Sequence, residues 1–209
     1  MTGHTLVTGA LGCIGSWVVR NLVRQGSHVT AYDLDDNPHR MKLIMAPDEL
    51  ARVTFARGDI TDFDALLALV HSSGVTSIIH LAALQVPACK ANPSLGARVN
   101  VVGTVNVFEI ARRLGLDRVV YASSVATYGG REAYAQSLIQ PDDPLMPKTL
   151  YGVYKQANEA TARIYYADWG ISSIGLRPYV LYGPGRDQGM TSTPTKAMLA
   201  AAAGLPYRI

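Results

Sequence analysis

Thr8-Gly9-Ala10-Leu11-Gly12-Cys13-Ile14-Gly15 is the stretch that decides how this chain folds. The run His4-Thr5-Leu6-Val7 before it reads as a buried strand. After it, Ile14, Val18 and Leu22 recur every four residues, which predicts a helix over 12–24 with those three on one face. A strand, a glycine turn and a helix in that order make a phosphate cradle. Glycines let the backbone approach a diphosphate, and the helix start presents free N–H groups and a positive dipole end. The glycines fall at 9, 12 and 15, a G-x-x-G-x-x-G spacing rather than G-x-G-x-x-G.

The second apolar segment, His28-Val29-Thr30-Ala31-Tyr32, ends in Asp33. An acid at the end of the second strand, about 20 residues past the glycines, accepts hydrogen bonds from ribose hydroxyls and repels a 2′-phosphate. That points to NAD rather than NADP as the cofactor.

Strand-like runs recur at 5–7, 29–32, 53–57, 77–81, 118–122 and 172–176, with helical patterns at 12–24, 62–71, 93–114 and 150–168 between them. This alternation predicts an α/β fold, a doubly wound parallel sheet of the Rossmann type. The strands read as continuous apolar runs, as strands covered on both faces do. Asp62 is placed to cap the helix that follows the third strand. Residues 124–149, with Gly129-Gly130 and three prolines, read as one long functional loop. An alanine-rich helix end over 197–203 is closed by Gly204.

Of 209 residues, 48% are hydrophobic and 17% charged, so a sizeable core is available and wholesale disorder is excluded. A net charge of +3 with no basic stripe implies no nucleic-acid partner. No apolar run approaches membrane-spanning length. The first strand begins so early that no signal peptide is expected, and Cys13 and Cys89 suggest no disulfide framework. The expected compartment is therefore the reducing cytoplasm.

Tyr151 and Lys155 stand four apart near the start of the last long helix and share a face. A lysine cation beside a phenol is expected to lower its pKa and make it a usable general base or acid. Ser123-Ser124 ends the strand Val119-Val120-Tyr121-Ala122, and ligands of doubly wound sheets bind at the strands' carboxyl ends. Ser124, Tyr151, Lys155 and the glycine turn should thus converge on one edge.

At this point the chain resembles the extended short-chain dehydrogenase/reductase family, the NAD-dependent sugar epimerases and dehydratases. The matching segments are 8–15, Gly58-Asp59-Ile60, His80-Leu81-Ala82-Ala83, Asn100-Val101-Val102-Gly103-Thr104 and Ser123-Ser124-Val125-Ala126-Thr127-Tyr128-Gly129. Tyr151-Gly152-Val153-Tyr154-Lys155, Leu176-Arg177-Pro178 and Tyr182-Gly183-Pro184-Gly185 complete them. The resemblance implies that Tyr151 is the catalytic acid or base, that Lys155 holds the nicotinamide ribose, and that Ser124 bonds the reacting oxygen. It implies that Asp59 and Ile60 flank the adenine and that Asn100 supports the active-site backbone. Gly9, Gly12, Cys13, Ile14, Gly15, Asp33, Leu81, Ala82 and Ala83 complete the implied cofactor set. The implied reaction is hydride transfer at a sugar carbon, most of all nucleotide-sugar epimerisation. The alternatives are a dehydrogenase of a sugar, sugar acid or hydroxy acid, and a non-catalytic NAD-binding protein.

Two departures qualify this. Dehydratases of the family carry Asp-Glu where this chain has Val125-Ala126, which disfavours dehydration. Family members also carry a longer C-terminal substrate region. The expected organisation is therefore a cofactor domain over 1–177 and an incomplete substrate region over 178–209. The resemblance also implies a homodimer through the helices over 93–114 and 150–168. His80 reads as structural, Cys89 as inert, and Tyr154, Tyr165 and Tyr166 as packing or interface residues. The five histidines show no metal-ligand spacing, so no metal is expected.

Overall fold

The computed structural model describes residues 3–208 except Asp117 and Ser137; the expected domain limits at 1 and 209 thus lie outside the described residues. Six parallel strands form one sheet: β1 (His4–Thr8), β2 (His28–Asp33), β3 (Val53–Arg57), β4 (Ser77–His80), β5 (Arg118–Ala122) and β6 (Ser173–Leu176). Their order is β3-β2-β1-β4-β5-β6. The direction of winding reverses between β1 and β4, and that reversal opens the crevice in which such sheets bind ligands. The expected fold class is the observed one.

Alternation along β1 builds the two layers. Leu6 faces a core with Ile78, Val107 and Phe108, while its neighbour Val7 faces a second core with Val19, Val29 and Met41. Helices α2 (Phe63–Ser72), α3 (Gly103–Leu114) and α4 (Leu150–Trp169) close the first layer. Helix α1 (Cys13–Arg24) and two short turns, His39–Lys42 and Pro47–Leu50, close the second. Asp62 caps α2 as expected, its carboxylate accepting the Ala65 N–H at 3.0 Å.

Four expectations change. The stripe of α1 that is buried runs Gly15, Ser16, Val19, Val23, one residue on from Ile14, Val18 and Leu22. Small residues at 15 and 16 let the helix sit close to the strand, which rotates the apolar trio to the flank. The fourth strand ends at His80; Leu81 N–H makes the last ladder bond, to Thr8 O at 3.0 Å, and the next loop starts there. The helix expected over 93–114 is interrupted: Pro93–Ala97 leads into a π-helical stretch, Arg98–Val102, before α3. The edge strands are not covered on both faces, since Phe55 on β3 and Ile174 and Leu176 on β6 are exposed.

The loop over 124–149 contains two 3₁₀ turns, Val125–Thr127 and Arg131–Ala133. Tyr134 pins it, donating to Pro144 O at 2.9 Å and accepting the Gly129 N–H at 2.8 Å. Thr193–Ala202 forms α5, ending just before Gly204. Among the described residues, no helix is long and apolar enough to cross a membrane.

Candidate active site

The glycine turn is shaped by contact. Gly9 has φ 65°, and a Cβ there would lie 2.6 Å from Ala82 N, so only glycine fits against the loop after β4. A Cβ on Gly15 would lie 2.2 Å from Gly9 O, so α1 packs directly on the turn. A Cβ on Gly12 would meet only Gly9 O, at 3.2 Å. Gly12 is therefore open on its outer side, and as N-cap it supplies no side-chain cap to the first N–H groups of α1. Cys13 and Ile14 open that helix, partly exposed. An open backbone cradle beneath uncapped amides fits a diphosphate.

Asp33 is locked beside the cradle. Its Oδ2 accepts the Leu11 N–H at 2.9 Å, and its Oδ1 accepts the Leu34 N–H at 2.8 Å. The remaining lone pairs of this carboxylate are available to ribose hydroxyls. Asp59 caps its own turn through Thr61 N at 2.8 Å, and its carbonyl accepts the Tyr32 hydroxyl at 3.0 Å. The Ile60 side chain is buried in the core, where a Cβ on Gly103 would lie 2.8 Å from its Cγ2.

The floor of the crevice is a chain of hydrogen bonds. Thr8 Oγ1 lies 2.7 Å from His80 Nδ1, and His80 Nε2 lies 3.0 Å from Thr104 Oγ1. Thr104 spends its hydroxyl proton on Asn100 O at 2.8 Å, so it accepts from His80 Nε2–H. The imidazole is thus the Nε2–H tautomer, with Nδ1 accepting from Thr8. Burial holds its pKa far down, at about 3, which keeps it neutral. His80 is structural, as expected. Asn100, inside the π-helical stretch, brackets Leu84: its Oδ1 accepts Leu84 N–H at 2.7 Å and its Nδ2 donates to Leu84 O at 2.9 Å. Asn100 thereby holds the loop that begins Leu81-Ala82-Ala83. Extra turns of π-helix recur at functional sites.

Opposite this floor stands α4. Thr149 caps it, accepting the Gly152 N–H at 3.1 Å. A Cβ on Gly152 would lie 2.1 Å from Ala126 O, so the helix start presses against the turn that follows Ser124. That contact sets Tyr151 beside Ser124. Lys155, only 2% exposed, donates to Ala122 O at 2.6 Å, and its Nζ stands 5.7 Å from the Tyr151 ring centroid. Burial depresses its pKa to about 8. The expected lowering of the Tyr151 phenol by this lysine is not found. Burial raises the phenol above its ordinary value, and hydrogen bonding with Ser124 opposes the rise. The lysine's ammonium is turned to the strand carbonyl, so it faces the ring rather than the hydroxyl.

One network was not foreseen. Arg177, in the Leu-Arg-Pro segment, clasps Glu159 of α4 at 2.7 and 2.6 Å. Glu159 also accepts the Ser123 hydroxyl, and Arg177 reaches Tyr128 and Pro141 O of the long loop. The signal available in the sequence was Glu159 four residues past Lys155, on the same face. Cys89 is buried, with its sulfur 3.4 Å from Asn100 Nδ2. Tyr154 donates to Pro93 O at 3.0 Å, and Tyr165 packs on Phe108 with ring centroids 5.4 Å apart. Among the described residues, no three His, Cys, Asp or Glu side chains are grouped to hold a metal.

A parallel sheet of order β3-β2-β1-β4-β5-β6 with a glycine turn after its first strand defines a Rossmann-type domain. Within that class the chain belongs to the NAD dependent epimerase/dehydratase family, whose model matches residues 5–207. It is 34% identical over 203 residues to a UDP-glucose 4-epimerase of Mycolicibacterium smegmatis, covering 94% of this chain and 63% of that protein. It is 30% identical over 190 residues to a UDP-glucuronate 4-epimerase of Thermodesulfobacterium geofontis, covering 87% and 57%. The solved GalE-like L-threonine dehydrogenase of Cupriavidus necator, in its holo form, superposes with a TM-score of 0.83 at 27% identity, over 98% of this chain and 64% of that one. The chain thus spans about 60% of the length of these relatives. The cofactor of the family is NAD, and the extended short-chain resemblance stands.

Proposed function

We propose that this chain carries the cofactor-binding and proton-transfer half of an enzyme that oxidises and reduces a sugar carbon, and that its substrate is a nucleotide sugar undergoing epimerisation. The observation that carries this reading is the meeting of Ser124, Tyr151 and Lys155 at the sheet edge that also holds the glycine turn and Asp33. NAD, when bound, supplies a hydride acceptor and donor at that edge.

The residues divide the work. Gly9, Gly12, Cys13, Ile14 and Gly15 seat the diphosphate, Asp33 takes ribose hydroxyls, and Asp59 with the Ile60 main chain borders the adenine. Leu81, Ala82 and Ala83, held by Thr8 and Asn100, form the wall between the two nucleosides. Tyr151, as the phenolate, would accept the proton of the substrate hydroxyl and, as the phenol so formed, return it in the reverse step. Ser124 orients the reacting oxygen, and Lys155 keeps positive charge beneath the tyrosine. Val125 and Ala126 offer no acid to assist elimination, which argues against dehydration. Residues 178–209 begin the substrate-binding region. The exposed apolar side chains of Val102, at the end of the π-helical stretch, and of Val153 and Ile164 on α4 suit a homodimer through the segments 93–114 and 150–168.

A second reading, a dehydrogenase of a sugar acid or hydroxy acid, is favoured by the close superposition on the threonine dehydrogenase. The two readings separate on cofactor fate. An epimerase recycles its cofactor in place and keeps NAD bound through purification. A dehydrogenase releases NADH in step with substrate consumed. Incubation with UDP-sugars, sugar acids and hydroxy acids, followed by product separation and NADH absorbance, tests both. Neither interconverted sugar nor NADH from any of them, in a chain extended to the length of its relatives, refutes the proposal.

A further inference from the structure

The segment that follows β6 doubles back across the cofactor edge. Gly183, Gly185 and Gly189 have φ of 127°, 87° and 85°, which permits the reversal. Several bonds tie it to the first strand–turn–helix unit. Trp17 Nε1 donates to Pro184 O at 3.0 Å. Arg40 Nε donates to Gly185 O at 3.1 Å, and Arg40 Nη2 to Asp187 Oδ1 at 2.8 Å. His39 Nε2 stands 3.3 Å from Asp187 Oδ2. The remaining arm of Arg40, Nη1, donates to Leu11 O at 3.1 Å, inside the glycine turn. One guanidinium therefore joins the turn to the returning segment.

Arg186 sits between the two residues Arg40 holds. Its Nη2 donates to Thr191 Oγ1, while its Nε is buried with no partner among the described residues. Buried donors are almost always satisfied, so an orphan there calls for an acceptor. Burial raises both the Cys13 thiol of the turn and the Tyr151 phenol, and in each the charge of Arg186 opposes the rise. The guanidinium therefore stands within electrostatic reach of both the turn and the tyrosine. The Arg40–Asp187 pair neutralises its own charges, whereas no carboxylate pairs with Arg186 among the described residues.

We propose that Arg186 is an anion-binding residue of this crevice, held over the glycine turn by the Arg40–Asp187 clasp, and that it takes a diphosphate oxygen from the face the turn leaves open. The proposal rests on the reading of the glycine turn as a diphosphate cradle. A diphosphate reaches the crevice from two sources, the dinucleotide cofactor and a nucleotide-sugar substrate, and the bond from Arg40 into the glycine turn favours the cofactor.

Titration calorimetry on the full chain, with Arg186→Met and Arg186→Lys, uses NAD, ADP-ribose, adenosine and UDP as probes. Losing a charge-assisted bond corresponds to roughly tenfold to a hundredfold in affinity. Arg186→Met is expected to weaken NAD and ADP-ribose by that factor, to leave adenosine unchanged, and to be partly rescued by lysine. Asp187→Asn, which unlatches the clasp but keeps Arg186, is expected to speed NAD release. A loss confined to UDP upholds the anion site and assigns it to the substrate's diphosphate. Unchanged binding of NAD, ADP-ribose and UDP by Arg186→Met, in a wild type that binds NAD, overturns the proposal alone. A wild type that binds neither NAD nor ADP-ribose overturns the cradle reading beneath it.

Discussion

Gly12 and Gly15 lie three residues apart in the same motif, yet alanine should act on them in different ways. At Gly15 the new methyl carbon would lie 2.2 Å from Gly9 O and 2.7 Å from Ala10 Cα. Both are backbone atoms, so the turn or α1 must shift, and overpacking of this kind costs about 3 kcal/mol. At Gly12 the methyl would meet one atom, Gly9 O, at 3.2 Å. The residue is extended, φ −67° and ψ 171°, and alanine adopts that without strain. Its cost is that of a poorer N-cap, about 1 kcal/mol. For a domain this size each kcal/mol moves Tm by roughly 2–4 °C. Gly15→Ala should therefore lower Tm by roughly 6–12 °C and Gly12→Ala by roughly 2–4 °C. Affinity should follow another order. Gly12→Ala sets a methyl where the diphosphate approaches, and the loss of one hydrogen bond to a charged group weakens NAD binding at least about tenfold. Thermal melts and calorimetric titration with NAD on both variants make the comparison. Wild-type affinity in a folded Gly12→Ala, or a Tm loss as large as that of Gly15→Ala, would show that the open side of Gly12 is not the cofactor's seat.

Lys155→Ala should harm both NAD binding and turnover, since the buried ammonium braces the strand end as well as the tyrosine; an effect on turnover alone would limit it to proton transfer. NAD should bind more tightly than NADP by about 1–3 kcal/mol, because Asp33 opposes a 2′-phosphate; equal calorimetric affinities would remove that role. His80 titrates at about 3 in the fold against an ordinary 6.5, so between those values the unfolded chain binds a proton that the native one refuses. Its stabilisation is complete above 6.5 and declines as pH falls, by about 2 kcal/mol at pH 5. Urea unfolding at pH 7 and pH 5 should show that loss in the wild type and not in His80→Gln, and the same loss in both would assign it to other groups.

Much of this arrangement was legible before the structure. Apolar runs alternating with helical periods specify a parallel sheet, and the sheet brings the ends of β1, β4 and β5 to one edge whatever the side chains are. Tyr151, Lys155 and Ser124 were readable because helix period and strand end place them independently of tertiary detail. The π-helical stretch was not, since the apolar residues around Asn100 satisfy an α pattern equally well. Glu159 looks like an exposed helix acid until Arg177 and Ser123, distant in sequence, arrive beside it. The direction in which Lys155 points depends on Ala122 O, a main-chain acceptor that residue types do not reveal. The uncovered faces of β3 and β6 were hidden for a similar reason: an apolar strand announces that it packs, but not how much of it is covered.

In the proposed function, Tyr151 moves the proton at a site built around NAD. The most direct test is rapid mixing of the NAD-loaded protein, extended to the length of its relatives, as wild type and Tyr151→Phe, with UDP-sugars, sugar acids and hydroxy acids while the nicotinamide absorbance is followed. Reduced nicotinamide is expected in the wild type with at least one of them. Tyr151→Phe, with NAD affinity unchanged, should be slower by roughly 10²–10⁴. Reduction by Tyr151→Phe at the wild-type rate would contradict that role.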